Sequence, residues 1–442
     1  MAYAFCCKEV TFSVNIKLFG NSRNARLQKD VKREPMKKEK RTVLDRIISI
    51  VLVVVMLEAI YCTAVFSNIS FIAKYRTIWI ETAMSTMSHH WLATYFIPPA
   101  VVNAVTEQVD KARAAQVGIN SSWNQGEKES AQKNNYHGIT AEEEEQLPAD
   151  QLAFYEQFSE IDRESMEDYV AKNPSAVASG WENIYINEAG IDDKGTDIYT
   201  IQGDQVLAID AKNGVLLIRV TGSGYRGVLA LAKDSSRLGV FAANSLGSYG
   251  AHAGDIAEGH NGILAITASG FIDNGGTGNG GNLAGYAMCN GVEYGKAHMG
   301  WGNKRIELHE DNLFYITDAQ DSVSDETTDA VEFTPALIVD GEIIVDENCG
   351  WNAINPRAII GQNANHDIMM LVIEGRLVNS LGTGVVECAG ILARYDCMQA
   401  MNLDGGTSAI MWYDGEYVTR CSNEALPEGR TLPNAFVYQY AD

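Results

Sequence analysis

The feature that most constrains this chain is an apolar run at residues 47–66, IISIVLVVVMLEAIYCTAVF. As an α-helix, about 20 residues rise about 30 Å, the thickness of a bilayer's hydrocarbon core. Only Glu58 interrupts the run with a charge, and eight basic side chains between Lys29 and Arg46 precede it. A signal-peptide core is usually shorter, and a buried helix of a soluble domain seldom follows so basic an arm. The run therefore reads as one membrane span, with the N-terminus cytoplasmic by the positive-inside rule and the rest exported. A second apolar patch, Trp91 to Ile97, stops at Pro98-Pro99 and is too short to cross. The expected organisation is a basic arm at 1–46, a span at 47–66, an acidic stalk at 67–179 and a domain at 180–442.

Charge supports this division. The net charge of -23 combines +7 over residues 1–46 with -30 over the remaining 396 residues. A surface that acidic repels a phosphate backbone at long range, so nucleic acid is excluded as a partner. A smaller phosphate-bearing substrate is not, because local arginines override the global field. Five of the eight cysteines fall after residue 180, and no CxxC pair occurs, which argues against a zinc ribbon or thioredoxin-type site. Small buried thiols account for them, and one disulfide of unassignable pairing stays compatible with the sequence.

Residues 142–145 are all glutamate and lead into Leu152, Phe154, Tyr155, Phe158, Ile161 and Met166, a loose helical period that reads as a stalk helix with one apolar face. After residue 180 the texture becomes short β-rich runs separated by glycine. Asp340-Gly341 and Asp414-Gly415 sit between apolar runs as tight hairpin turns, and residues 383–395 have helical spacing. The expected fold is α+β (mixed α/β), one domain built on a substantial mixed β-sheet with flanking helices.

Four stretches place polar groups and glycine beside strands, where ligand groups are held stiffly. The first, Ser269-Gly270-Phe271-Ile272-Asp273 followed by an Asn/Gly-rich run that includes Asn279, can present N–H groups to an anion. It lacks a Gly-Lys-Ser/Thr ending, and the twelfth position from Asp273 is Ala284, so it is neither a Walker loop nor an EF-hand. The second puts Arg357 into an apolar strand, where it needs a carboxylate or a bound anion. The third ends a buried run with Glu374-Gly375-Arg376. In the fourth, Asn402 and Asp404 alternate on a strand and are followed by Gly405, Gly406, Thr407 and Ser408. The histidines lack ligand spacing and read as ordinary polar or packed residues.

The motifs PRAIIGQ, VIEGR and NLDGGTS, with the trailing GRTLPNA, resemble the phosphodiester glycosidase family over about residues 205–440. The chain is similar in particular to membrane-anchored bacterial members, with their basic arm, single span and Ser-Gly-Phe segment. Two positions depart from the family's usual pattern: Thr267 stands where Asn is common, and Glu374 where Asp is common. The resemblance implies hydrolysis of a sugar-1-phosphodiester in a cell-envelope or polysaccharide substrate, a phosphate-linked glycan. Arg357 and Arg376 would then stabilise the leaving phosphate. Asp404 would serve the anomeric carbon, with Glu374 as second carboxylate. Asn402, Gly405, Gly406, Thr407, Ser408, Gly270, Asp273 and Asn279 would bind substrate. No cofactor is implied. Oxygen ligands from Asp273, Asp404 and Glu374 would suit Ca²⁺ or Mg²⁺, which leaves a metal-dependent phosphodiester hydrolase as one alternative and a non-catalytic phosphoglycan-binding module as another.

Overall fold

The computed structural model describes residues 42–84, 90–124, 146–273, 277–295, 302–347 and 349–442. Most of the basic arm, the acidic run at 142–145 and residues 274–276 of the glycine-rich stretch lie outside the described residues. Contacts divide the chain into two compact units, one up to Ala59 and one from Ile60 to Asp442.

The first unit carries most of α1 (Val43–Phe66), whose first turn is closed by a reciprocal capping pair. Thr42 Oγ1 accepts the Asp45 N–H at 3.2 Å, and the Asp45 carboxylate accepts the Thr42 N–H at 2.8 Å. With a mean hydropathy of 2.5 and none of its apolar window buried, α1 is long and apolar enough to cross a membrane, a test that a signal sequence also passes.

The second unit begins with α2 (Ser70–Met84), α3 (Trp91–Thr94) and α4 (Pro99–Gln116), packed around Ile80, Ala93, Val102 and Val105. Pro99 opens α4 at a position whose N–H has no helical partner to lose. At its other end Gln116 Nε2 donates to the Ala336 carbonyl at 2.8 Å. The chain then runs beside the strand Phe314–Asp318, where the Ser121 N–H reaches the Ile316 carbonyl at 2.8 Å and Trp123 Nε1 the Phe314 carbonyl at 2.8 Å.

Next come α5 (Ala149–Gln157) and α6 (Arg163–Lys172), the latter capped by Asp162 on the Ser165 N–H. Their apolar face is the periodic one in the sequence, but it does not belong to a stalk. Phe154, Tyr155, Phe158, Ile161 and Met166 share a core cluster with Leu216, Ile218, Leu229 and Leu371 of the large sheet. The compact body therefore starts well before residue 180.

That sheet has nine strands, in the order Tyr185–Asn187, Gln205–Asp210, Val215–Gly222, Tyr225–Ala232, Ile368–Ile373, Arg357–Asn363, Cys397–Asn402, Ala336–Val339, Glu342–Ile343. The α+β class holds, with two differences from the expected sheet. Every pair in the nine-stranded sheet is antiparallel, and two further five-stranded antiparallel sheets accompany it. One contains Gly262–Thr267 and Asn434–Gln439, the other Lys304–His309 and Phe314–Asp318. Short hairpins, including the Asp-Gly turns with both residues at positive φ, join antiparallel neighbours directly, which parallel strands cannot do.

The large sheet is buried on both faces. Leu217, Ala230, Ile360 and Met370 pack towards Ile266, Phe436 and Ile306 of the small sheets. Ile218, Leu231, Ile359 and Leu371 pack towards α5 and α8 (Val385–Ala393), which follows α7 (Ala253–Gly259) in the chain. Burial on both faces explains strands that are apolar at nearly every position. Cys289, Cys349, Cys388, Cys397 and Cys421 are buried free thiols.

Candidate active site

Register in the large sheet brings three of the sequence motifs to one edge. Arg357 lies opposite Ile373, and Ile359 opposite Asn402, so Glu374, Arg357 and Asp404 all emerge at the same end of adjacent strands. There the chain leaves the last strand through Asp404-Gly405-Gly406 into a single 3₁₀ turn, Gly406–Ser408. A Cβ on Gly405 would sit 2.8 Å from the Pro356 carbonyl oxygen, and Gly406 has φ +62°, so the double glycine lets this turn close on Pro356. The Gly406 N–H donates to that same carbonyl at 3.1 Å.

Arg376 lies beside the turn: its Nη atoms stand 3.5 Å from where a Gly406 Cβ would be. Its Nη2 donates to Asn355 Oδ1 at 3.0 Å. Arg357 is buried and held by main-chain oxygens alone: Nη2 donates to the Trp351 and Ala353 carbonyls at 2.9 and 2.7 Å, and Nε to the Thr383 carbonyl at 3.2 Å. Among the described residues neither arginine has a carboxylate within 4.0 Å. Burial, and to a smaller degree the charge of Arg376, lowers the Arg357 pKa, while the more distant carboxylate of Glu81 raises it.

Asp404 faces a different set of side chains. Burial raises its carboxyl to about 6; a hydrogen bond with Ser408 and the charge of Arg430 pull it down, and Asp273 pushes it up. Arg430 is itself fixed three ways, by an ion pair with Asp273, by donation from Nη2 to the Gly278 carbonyl at 2.6 Å, and over the Phe271 ring at 4.5 Å. The Gly278 N–H donates to Asp273 Oδ1 at 2.7 Å. Ser269 is locked by Asn434, which accepts its N–H at 2.9 Å and donates to its Oγ at 3.0 Å.

The remaining candidates are placed as follows. Glu374 is buried, 3.2 Å from Arg226 Nε, and accepts the Arg420 N–H at 2.8 Å; its pKa is raised by burial. These partners are not those of Asp404, so the two carboxylates are not built into one cluster. Asn402 Nδ2 donates to the Thr334 carbonyl at 2.8 Å, while its buried Oδ1 has no hydrogen-bond partner. Asn279 is occupied in its own loop, donating to the Ser248 carbonyl and accepting the Gly281 N–H. Gly270 is buried and accepts the Ala284 N–H through its carbonyl at 3.0 Å. Thr407 lies on the 3₁₀ turn, half-buried. Among the described residues no group of three or more His, Cys, Asp or Glu side chains could hold a metal ion.

Two residues of this site were not singled out in the sequence. Arg430 belongs to GRTLPNA, whose letters were noticeable, but only the fold brings it to Asp273. Asn355 directly precedes the PRAIIGQ motif and carries no signal of its own.

Residues 260–439 match the phosphodiester glycosidase family. This segment resembles a phosphodiester glycosidase domain. Every candidate site residue, from Gly270 to Ser408, falls inside it, as does Arg430. The chain is also 24% identical over 172 residues to the SPbeta prophage-derived uncharacterized protein YomE of Bacillus subtilis (strain 168), a match covering 36% of this chain. The chain spans about a quarter of that relative's length, 26%. Among solved structures it is similar to the catalytic domain of zebrafish N-acetylglucosamine-1-phosphodiester alpha-N-acetylglucosaminidase, at 16% identity and TM-score 0.42 over 60% of this chain and 91% of the other. A hypothetical protein from Synechocystis is similar at 15% identity and TM-score 0.38, over 54% of this chain and 65% of the other.

Proposed function

We propose that the domain hydrolyses a sugar-1-phosphodiester and releases the sugar from a phosphomonoester. The observation that carries this reading is the pair of guanidinium groups, Arg357 and Arg376, anchored by neutral oxygens beside the Asp404-Gly405-Gly406 turn. An arginine whose charge is not spent on a carboxylate keeps it for an anion, and the planar fork matches two phosphate oxygens. Phosphate is a good leaving group, so stabilising its charge contributes more than a strong acid would. As the C1–O bond breaks, its electron pair stays with the phosphate oxygen and C1 turns cationic. The Asp404 carboxylate, with a pKa of about 6, is mostly ionised near neutrality and serves C1 by direct attack or by taking a proton from attacking water. Arg430 and Ser408 hold that carboxylate. Asn402 and Thr407 line up with the turn as sugar or phosphate contacts.

The one helix among the described residues that is long and apolar enough to span, with the basic arm before it, supports a protein anchored with its N-terminus in the cytoplasm and this domain outside. Envelope polysaccharide is the phosphate-linked glycan such a domain would meet.

The test is the full-length protein in detergent against a panel of sugar-1-phosphodiesters, with and without chelator. Asp404→Asn should lower kcat by about 10²–10⁴-fold, the usual contribution of a positioned acid or base. Arg376→Ala should lower kcat/KM by about 10²-fold without altering the melting temperature. Undiminished turnover by Asp404→Asn sinks the assignment, and loss of activity with chelator favours a metal-dependent route instead.

A further inference from the structure

A cavity of about 470 Å³ lies apart from the Asp404 turn, between α4 and the chain around Ile343 to Trp351. Its volume falls within the range of small-molecule sites, about 300–1,000 Å³. Its lining combines apolar Ile343, Ile344 and Val345 with Gln108, Arg113, Asp346 and Trp351. The Arg113 guanidinium stands 5.1 Å from the Trp351 ring centroid. Lys111, also on the wall, is already paired with Glu107 at 2.8 Å. Arg113 is not: among the described residues no carboxylate lies within 4.0 Å of it. Its Nε and Trp351 Nε1 are both buried without a hydrogen-bond partner.

The cavity is joined to the active site through its own wall. Trp351 offers its ring to Arg113 and its carbonyl to Arg357 Nη2, 2.9 Å away. Pro335 lines the cavity and accepts the Asn402 N–H at 3.0 Å. One residue thus separates the cavity from each of two candidate site residues.

We infer that this cavity is a second anion subsite, which takes a sugar-phosphate unit flanking the scissile phosphodiester. The inference rests on the phosphodiester glycosidase reading and narrows its substrate to a polymer of phosphate-linked repeats. An indole face suits the C–H face of a pyranose, the amide of Gln108 and the carboxylate of Asp346 suit hydroxyls, and Arg113 suits the neighbouring phosphate.

Calorimetric titration of the full-length protein in detergent tests this, with a synthetic two-repeat N-acetylglucosamine-1-phosphodiester oligomer and its single-repeat counterpart as probes. The two-repeat probe should bind more tightly. Arg113→Gln should weaken it by about tenfold or more, as expected for loss of one charge-assisted contact, and leave the single repeat unchanged. Arg113→Lys should recover part of the loss. Gln108→Glu, at an exposed position that folding tolerates, should also weaken only the longer probe. Equal binding of both probes by the unaltered protein, no binding of either, or an equal loss for both with Arg113→Gln overturns the subsite. Binding is read without turnover, so the two readings fail separately. An inactive protein with the Arg113-dependent preference loses the hydrolase reading and keeps the subsite; an active one without it does the reverse.

Discussion

At the scale of single residues the site depends on what each charge is given to hold. Asp404 is raised from 3.8 to about 6, so the folded protein binds its proton more tightly than the unfolded chain does. Its contribution to stability is therefore full below pH 3.8 and is lost as pH rises through about 6. Asp404→Asn should accordingly raise the melting temperature at pH 7–8, relative to the native protein, and change it little at pH 4. A variant that melts lower at both pH values contradicts this account. Thr267 offers a second test. Its hydroxyl is fully buried without a partner, on the strand that leads into Ser269. Thr267→Val removes an unsatisfied group at constant shape and should leave stability equal or higher by about 1 kcal/mol, measured by urea melts, with turnover retained. The sequence made Arg357 legible as an arginine in need of a partner. It could not say which, because the three carbonyls that hold it arrive from residues 351, 353 and 383. Arg430 was hidden for the same reason: its role exists only once Phe271, Asp273 and Gly278 are brought to meet it.

At the scale of elements, local chemistry was readable and assembly was not. The Asp340-Gly341 and Asp414-Gly415 turns and helix α8 appear where their letters place them, because each is specified within a few residues. The strand order of the large sheet, in which Ile368–Ile373 inserts beside Tyr225–Ala232, is set by contacts far apart in the chain. The helical face from Leu152 to Met166 was visible, but periodicity reports an apolar face and not what covers it. In the structure it covers the sheet. Phe154→Ala should therefore cost about 3–5 kcal/mol in global stability, as for a large core residue. A fragment starting at residue 180 should not fold cooperatively, for it leaves that sheet face bare. A sharp thermal transition from such a fragment would return α5 and α6 to the role of a stalk.

At the scale of the whole molecule, the address of the protein rests on α1. A span predicts that the full-length chain stays in membranes through an alkaline carbonate wash at its full mass of 48.3 kDa, and that added protease removes residues beyond 66 from intact cells. A mature protein whose N-terminal sequence begins after residue 66 would make α1 a signal sequence instead. The two halves of the proposed site also differ in how they can change over generations. Arg357 is posed by peptide carbonyls, which every substitution at Trp351, Ala353 or Thr383 other than one that moves the backbone leaves in place. Asp404 is tuned by the side chains of Ser408, Arg430 and Asp273, any of which a single codon change can replace. Descendants of this chain should drift readily in the pH at which they work, while the grip on phosphate stays where it is.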